Sequence, residues 1–274
     1  MRTWGKRLAV MVALLGFGLC VAIGTVWGLG SWRAGQKTAT LPEPMAVARG
    51  DAGRGAHIAR VYGCVSCHGA DLAGGAMEGL EVPNLTALGE RYTASDLARA
   101  LRRGLRPDGT AIMWPMVGKY LGPMADEDAA DLHAYLASLP ARPQTPGASA
   151  LPVRPLALAL GVLKPNPLFA RSGEGASARA PRPGDPAWGA YFTRMACAEC
   201  HNFDLSGLPG ETPALADVMQ VYDWPGFVTL TTTGRAPDGR TLGLMTDASR
   251  QRLRHLTEPE RRALFDYLKR LPSA

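Results

Sequence analysis

Charge is absent from one long stretch of this chain. Leu8 to Trp32 runs for 25 residues without Asp, Glu, Lys or Arg. Other things are scarce as well. Neither half shows the apolar–polar alternation of half-buried strands, which argues against a β-rich fold. No isolated carboxylate pair and no Ser-His-Asp arrangement stands out, so nothing marks a hydrolytic or acid–base enzyme. The formal charge is +6, yet it is not carried by a domain face. Basic residues exceed acidic ones by four in residues 1–47 and by five in residues 141–183, whereas residues 48–140 carry two more acidic residues and residues 184–274 one more. The excess therefore lies on the N-terminal segment and a linker, with no phosphate-binding stripe, and nucleic acid is not an expected partner. Cysteine is rare too: there are five, at positions 20, 64, 67, 197 and 200.

The uncharged run is long enough for the roughly 20 apolar residues that a bilayer core requires of a helix. Arg2, Lys6 and Arg7 precede it, a bias that keeps this end cytoplasmic. No small-residue cleavage site follows a short apolar core, and the bulky Leu19 before Cys20 fits lipoprotein processing poorly. The expectation is an uncleaved anchor over residues 1–32, with Cys20 as a small apolar residue of its helix. Everything after Arg33 then lies outside the cytoplasm, beginning with a tether over 33–47.

The other four cysteines form two copies of one pattern: Cys64-Val65-Ser66-Cys67-His68 and Cys197-Ala198-Glu199-Cys200-His201. Tyr135 follows Cys64 by 71 residues, and Tyr267 follows Cys197 by 70. Each tyrosine precedes a leucine near the end of an expected helix, and each helix stops at Leu-Pro (Leu139-Pro140, Leu271-Pro272). This is an internal duplication. The pattern predicts short helices over Gly55–Gly63 and Ala187–Ala196. It predicts a capping box at Thr93 to Asp96 opening a helix that ends near Gly104, and closing helices from about Asp126 and from Thr257. Residues 141–183 hold eight prolines, which predicts a linker with sparse secondary structure; only Leu156 to Leu163 is apolar within it.

Two thiols three positions apart can form thioethers with the two vinyl groups of one haem, and the adjacent histidine can then bind the iron from one side. A disulfide or redox dithiol would account for the thiols, and zinc for mixed Cys and His. Neither accounts for two adjacent histidines, each inside its own copy of a repeated scaffold. The pattern predicts two covalently attached haem c groups, with Cys64, Cys67 and His68 holding one, and Cys197, Cys200 and His201 the other.

Both halves resemble class I cytochrome c domains, over roughly residues 48–140 and 184–273. The stretch Cys64 to Leu72 and the stretch Val82-Pro83-Asn84-Leu85-Thr86 are similar to those of bacterial membrane-associated dihaem cytochromes. The resemblance implies a mostly α fold: tandem class I cytochrome c domains, 48–140 and 184–274, behind one N-terminal transmembrane helix. It implies that a proline carbonyl accepts the proximal histidine's Nδ1 proton. Pro83 matches that position; Pro213, in Thr212-Pro213-Ala214-Leu215, is the candidate in the second half, where the Pro-Asn-Leu-Thr run is absent. It also implies a methionine opposite the histidine. In the first half Met77 comes too early and Met124 adjoins the closing helix, leaving Met113 and Met116; the reading favours Met116, beside Pro115 and 52 residues after Cys64. In the second half it favours Met245, in the loop Gly243-Leu244-Met245, over Met219, with His255 or an open site as the alternative. His57, His133 and His255 are read as structural or exposed.

A haem with two protein ligands has no open position for substrate, so one-electron transfer is the expected function. The expected partners are membrane lipid and redox proteins: a respiratory complex, dehydrogenase, oxidase or soluble cytochrome. The expected location is the inner membrane, with both haem domains on the periplasmic side. Two rivals stand beside this reading. One is a dihaem enzyme of peroxidase-like or sulfur-oxidising type, with one exchangeable ligand. The other is a structural haem subunit of a larger complex.

Overall fold

The computed structural model describes residues 2–37, 45–46, 49–77, 80–112, 116, 118–145, 158–161 and 177–272. The protein is mostly helical. The uncharged run lies within one continuous helix, α1 (Arg2–Ala34), whose segment Ala9–Arg33 is long and apolar enough to cross a membrane. Val10, Leu14, Leu15, Phe17 and Leu19 stay exposed along it, as side chains facing lipid would, and so does Cys20. This is consistent with a single membrane-spanning segment.

In the first half, Asp51 caps α2 (Ala52–Val61) by accepting the Arg54 amide at 2.8 Å. Gly63, with φ of 80°, turns the chain directly into α3 (Cys64–His68). The region read as lacking strands contains a small antiparallel hairpin, β1 (Gly75–Met77) with β2 (Leu80–Val82). Strands of three residues are too short to show a period of two. Then follow α4 (Leu88–Arg91), α5 (Ala94–Arg103), α6 (Gly118–Leu121) and α7 (Asp126–Ser138). The capping box of α5 forms as the sequence predicts: Thr93 accepts the Asp96 amide, Asp96 accepts the Thr93 amide, and Gly104 closes the helix in the left-handed region. α7 has no side-chain cap. Its first amides, Asp126 and Glu127, donate instead to the carbonyls of Ser177 and Ala178 at 2.9 and 3.2 Å, so the end of the proline-rich segment satisfies the helix start. The beginning of that segment also packs back on the first half. The Arg142 amide donates to Thr86 Oγ1 at 3.0 Å, and Thr145 to the Ala73 carbonyl at 2.8 Å.

The second half repeats the opening and closing elements. α8 (Ala187–Ala196) leads into α9 (Ala198–His201), and α13 (Glu258–Leu268) closes it with a Thr257/Glu260 capping box. Between them lie α10 (Leu215–Val221), α11 (Trp224–Thr233) and α12 (Leu244–Gln251). α11 was not legible in the sequence: five of its six residues from Val228 to Thr233 are β-branched, which favours strand locally. The Asp223 cap, Pro225 in the first turn, and burial of Phe227 and Leu230 override that preference.

α7 crosses α2, and α13 crosses α8. Each crossing is closed by a glycine. A Cβ added at Gly55 would fall on the Asp131 carbonyl and against the Tyr135 Cβ; one added at Gly189 would fall on the Tyr267 Cβ. The repeated tyrosines of the closing helices therefore face the repeated glycines of the opening ones. Gly55→Ala and Gly189→Ala are each expected to lower unfolding stability by about 3 kcal/mol, because backbone, not a flexible side-chain tip, lies in the way at Gly55 and the tyrosine root at Gly189. Denaturant titration followed by far-ultraviolet circular dichroism measures this; an unchanged midpoint would refute the close crossing.

The two apolar cores interlock. Val61 of α2 belongs to the second core with Trp188, Phe192, Phe265 and Leu253, while Met195 of α8 belongs to the first with Ile58, Leu97, Met124 and Leu132. Tyr62 packs against both, its ring centroid 5.5 Å from that of Phe192. Polar contacts accompany this packing. His57 Nε2 donates to the Glu260 carboxylate at 2.8 Å, and Tyr191 Oη donates to Asp128 Oδ2 at 2.7 Å while accepting the Ala125 amide at 2.8 Å.

Asp128 makes the interface pH-dependent. Burial pushes its carboxyl up to about 6, against the lowering effect of the Tyr191 hydroxyl. An acid whose folded pKa lies above its unfolded value contributes fully below the unfolded pKa, and that contribution is lost as pH rises through the folded one. Asn at this position still accepts from Tyr191 and has no charge to bury. Asp128→Asn is therefore expected to be more stable than wild type by about 2 kcal/mol at about pH 8, with the gap closing toward about pH 4. Denaturant midpoints measured across that range check it; a gap constant with pH would refute the assignment.

Candidate functional site

Each Cys-x-x-Cys-His segment is a single helical turn at the end of its opening helix, and the chain beyond each follows the same path. The His68 carbonyl accepts the Gly74 amide and the His201 carbonyl accepts the Gly207 amide, both at 2.9 Å. Leu72 and Leu205, four residues after their histidines, adopt positive φ of 59° and 62°, unusual for residues with a Cβ. Their carbonyls accept the Leu85 and Leu215 amides, both at 2.9 Å. Those bonds place Pro83 and Pro213, two residues earlier, beside the histidines. His68 Nδ1 lies 2.7 Å from the Pro83 carbonyl oxygen, and His201 Nδ1 lies 2.9 Å from that of Pro213.

The second half thus keeps Pro-x-Leu although the run Pro-Asn-Leu-Thr is missing. What it lacks is Asn84 and Thr86, whose side chains close a local turn and hold the linker: Asn84 Oδ1 accepts the Thr86 amide at 2.7 Å, and Asn84 Nδ2 donates to the Arg142 carbonyl at 2.7 Å. The spacing from histidine to proline is 15 residues in the first half and 12 in the second. The first half contains the β1–β2 hairpin there, and the second a lone bridge between Leu208 and Thr212.

A carbonyl only accepts, so Nδ1 carries the proton in both histidines and the Nε2 lone pair is left to bind a metal. Burial lowers both histidine pKa values, partly offset by the proline carbonyl, which favours the neutral, ligating form. The thiols are held in the opposite sense. Burial pushes Cys64 up to about 11 and Cys197 up to about 12, and also raises Cys67 and Cys200. A redox dithiol needs a thiolate near neutral pH, and these environments oppose one. The four thiols are unpaired, which leaves them available for thioether formation.

Met116 is partly buried against the first core and Met245 against the second. Met245 was read as a loop residue; it occupies the first turn of α12, after Gly243. Met124 and Met219 are buried, with carbonyls taken by the Arg102 guanidinium and by Lys269, in agreement with packing roles. Met77 lies in β1. Met113 lies outside the described residues. The spare histidines have other partners or settings: His57 holds Glu260, His133 Nε2 donates to the Tyr92 carbonyl at 2.7 Å, and His255 sits in the short 3-10 turn Leu253–His255.

The two motifs also meet. Arg252, just after α12, donates to Glu199 Oε2 at 2.8 Å, inside the second motif, and its guanidinium lies where a Cβ of Gly63 would sit, at the entrance to the first. Its charge acts on all four thiols, lowering their pKa against burial. Tyr120 of α6 stacks on Phe203, next to the second motif, at 5.2 Å. Sequence reasoning missed Arg252 and Tyr120: both act only through a contact between halves, which no local pattern records. Among the described residues, no three His, Cys, Asp or Glu side chains gather into a metal cluster.

Residues 52–140 match the family model described as cytochrome c. That segment is a class I cytochrome c domain. With it come a fold that binds c-type haem and the electron-carrier function general to such domains. A search of the curated proteins found no match to the chain.

Proposed function

We propose that the chain is a membrane-anchored dihaem electron carrier, with one haem c in each half, passing single electrons between a membrane respiratory complex or dehydrogenase and a cytochrome or oxidase acceptor. The observation that carries this reading is that both Cys-x-x-Cys-His turns have the same histidine–proline carbonyl bond and meet at one interface, joined through Arg252. Bound haem supplies a reversible one-electron couple. The thiols of Cys64, Cys67, Cys197 and Cys200 would hold the haems as thioethers, and His68 and His201 would ligate the iron through Nε2. Pro83 and Pro213 orient those imidazoles and raise their donor strength. Met116 and Met245 are the residues that would supply a second ligand to each iron. Interlocked cores hold the halves as one unit, so a relay between them needs no domain motion. α1 keeps the encounter at the membrane and raises the effective concentration of membrane partners. Arg2, Lys6 and Arg7 before the apolar run favour placing both haem domains on the periplasmic side.

The test is stopped-flow reduction of the full-length protein in membranes supplied with respiratory substrate, with copurification after mild solubilisation. Rapid reduction of both haems and a co-isolated redox complex are expected. Slow reduction with no associated complex would overturn the reading.

A further inference from the structure

We infer that the short turn at residues 158–161 of the proline-rich segment is a second contact with the lipid bilayer, lying at the interface where α1 leaves the membrane. This rests on α1 crossing that membrane.

The segment is joined to the end of the helix. Arg33 Nη1 donates to the carbonyls of Leu158 and Ala159 at 3.2 and 3.0 Å. Leu158 is 3% exposed. On α1, Val26, Gly30 and Ser31 lose exposure while the residues around them do not, and 26 and 30 lie one turn apart on one face. The other side of the turn is open: Leu160 is 65% exposed, one of the few large apolar residues outside α1 to be so among the described residues. The tether is held as well, Lys37 pairing with Thr110 as an isolated antiparallel bridge, so the chain leaving α1 docks directly on the first half.

The position of α1 says what covers Leu160. The span Ala9–Arg33 has 25 residues. At 1.5 Å per residue it measures about 37 Å, more than the hydrocarbon core of about 30 Å. Its last turn therefore stands among the lipid headgroups, with Trp27 and Trp32 at the level where tryptophan prefers to lie. A turn fastened to Arg33 shares that level. The sequence around it suits a lipid interface: eight apolar residues, Leu156 to Leu163, flanked by Arg154 and Lys164. The four residues of the turn are far too few to span a bilayer, but the exposed Leu160 is enough to sink an apolar side chain just below the headgroups. With α1, this second attachment would restrict how the soluble part tilts over the membrane.

The experiment uses the full-length, haem-loaded protein in nanodiscs of phosphatidylcholine and a charged, membrane-impermeant maleimide, with peptide mapping to read each site. Leu160→Cys is compared with Val221→Cys, whose parent residue is 74% exposed on the second half, and native Cys20 reports on α1. The thiol of Leu160→Cys is expected to react at least about tenfold more slowly than that of Val221→Cys, although the protein itself leaves position 160 open. Equal rates with Cys20 still protected would overturn the inference and leave the anchor standing. Free reaction of Cys20 would overturn the anchor, and the inference with it. Protection of position 160 in native membranes but not in these nanodiscs would mean a protein covers it, and would also overturn the inference.

Discussion

Denatured full-length protein is expected to carry two haems bound by thioether bonds, and the double variant Cys197→Ala, Cys200→Ala is expected to carry one, on the Cys64–Cys67 peptide. The effect is as large as a cofactor experiment allows, since each motif accounts for a whole prosthetic group. Covalent attachment also survives unfolding, so mass spectrometry counts haems independently of how well a variant folds. The first motif lies in the segment that matches the cytochrome c model; the weight of the experiment falls on the second. Burial raises the pKa of its thiols as it does for the first pair, its histidine is turned by Pro213 as His68 is turned by Pro83, and the loop between repeats the same two backbone bonds. A wild-type mass with a single haem would show that this copied geometry no longer holds a haem.

Loss of the opposite ligand is the other large effect expected. Met116→Ala and Met245→Ala should each abolish one sulfur–iron charge-transfer band in the ferric near-infrared spectrum and open one haem to carbon monoxide. The potential of that haem should fall, because a thioether ligand raises it relative to other donors. Met116 and Met245 are partly buried beside the core of their own half, where a long, flexible thioether can reach inward. Met124 and Met219 face inward already and pack, so Met124→Ala should lower stability and leave the band in place. If Met113→Ala, and not Met116→Ala, removes the first band, the first-half assignment is wrong. If Met245→Ala changes neither signal, the second half has a different ligand or an open iron, and a peroxidase-like activity becomes the better reading.

These expectations differ in how far local sequence could reach. A charge-free run, a duplicated Cys-x-x-Cys-His and the two capping boxes are contiguous patterns, and each physical cause acts within a few residues. The long apolar N-terminal helix, the opening and closing helices, the termini of α5 and the start of α13 were legible for that reason. The sequence also presented Pro83 and Pro213 as carbonyl candidates, but only through resemblance. That Pro213 stands beside His201 in spite of a three-residue shorter approach follows from the backbone bonds of Leu205 and Gly207.

What the sequence by itself determined is the long uncharged N-terminal helix, the helices that open and close each half and the two capping boxes, because each of these depends on neighbours in the chain. Tertiary structure alone decided that Gly55 and Gly189 are the crossing points, that the mostly β-branched segment 228–233 forms a helix, and that Val61 and Met195 each complete the core of the other half. It alone decided that Arg252 lies between two motifs more than 130 residues apart in the chain. Such contacts depend on which surfaces are buried together. Burial is a property of the packed whole: the same arginine or glycine in another helix would leave no different trace in its local sequence.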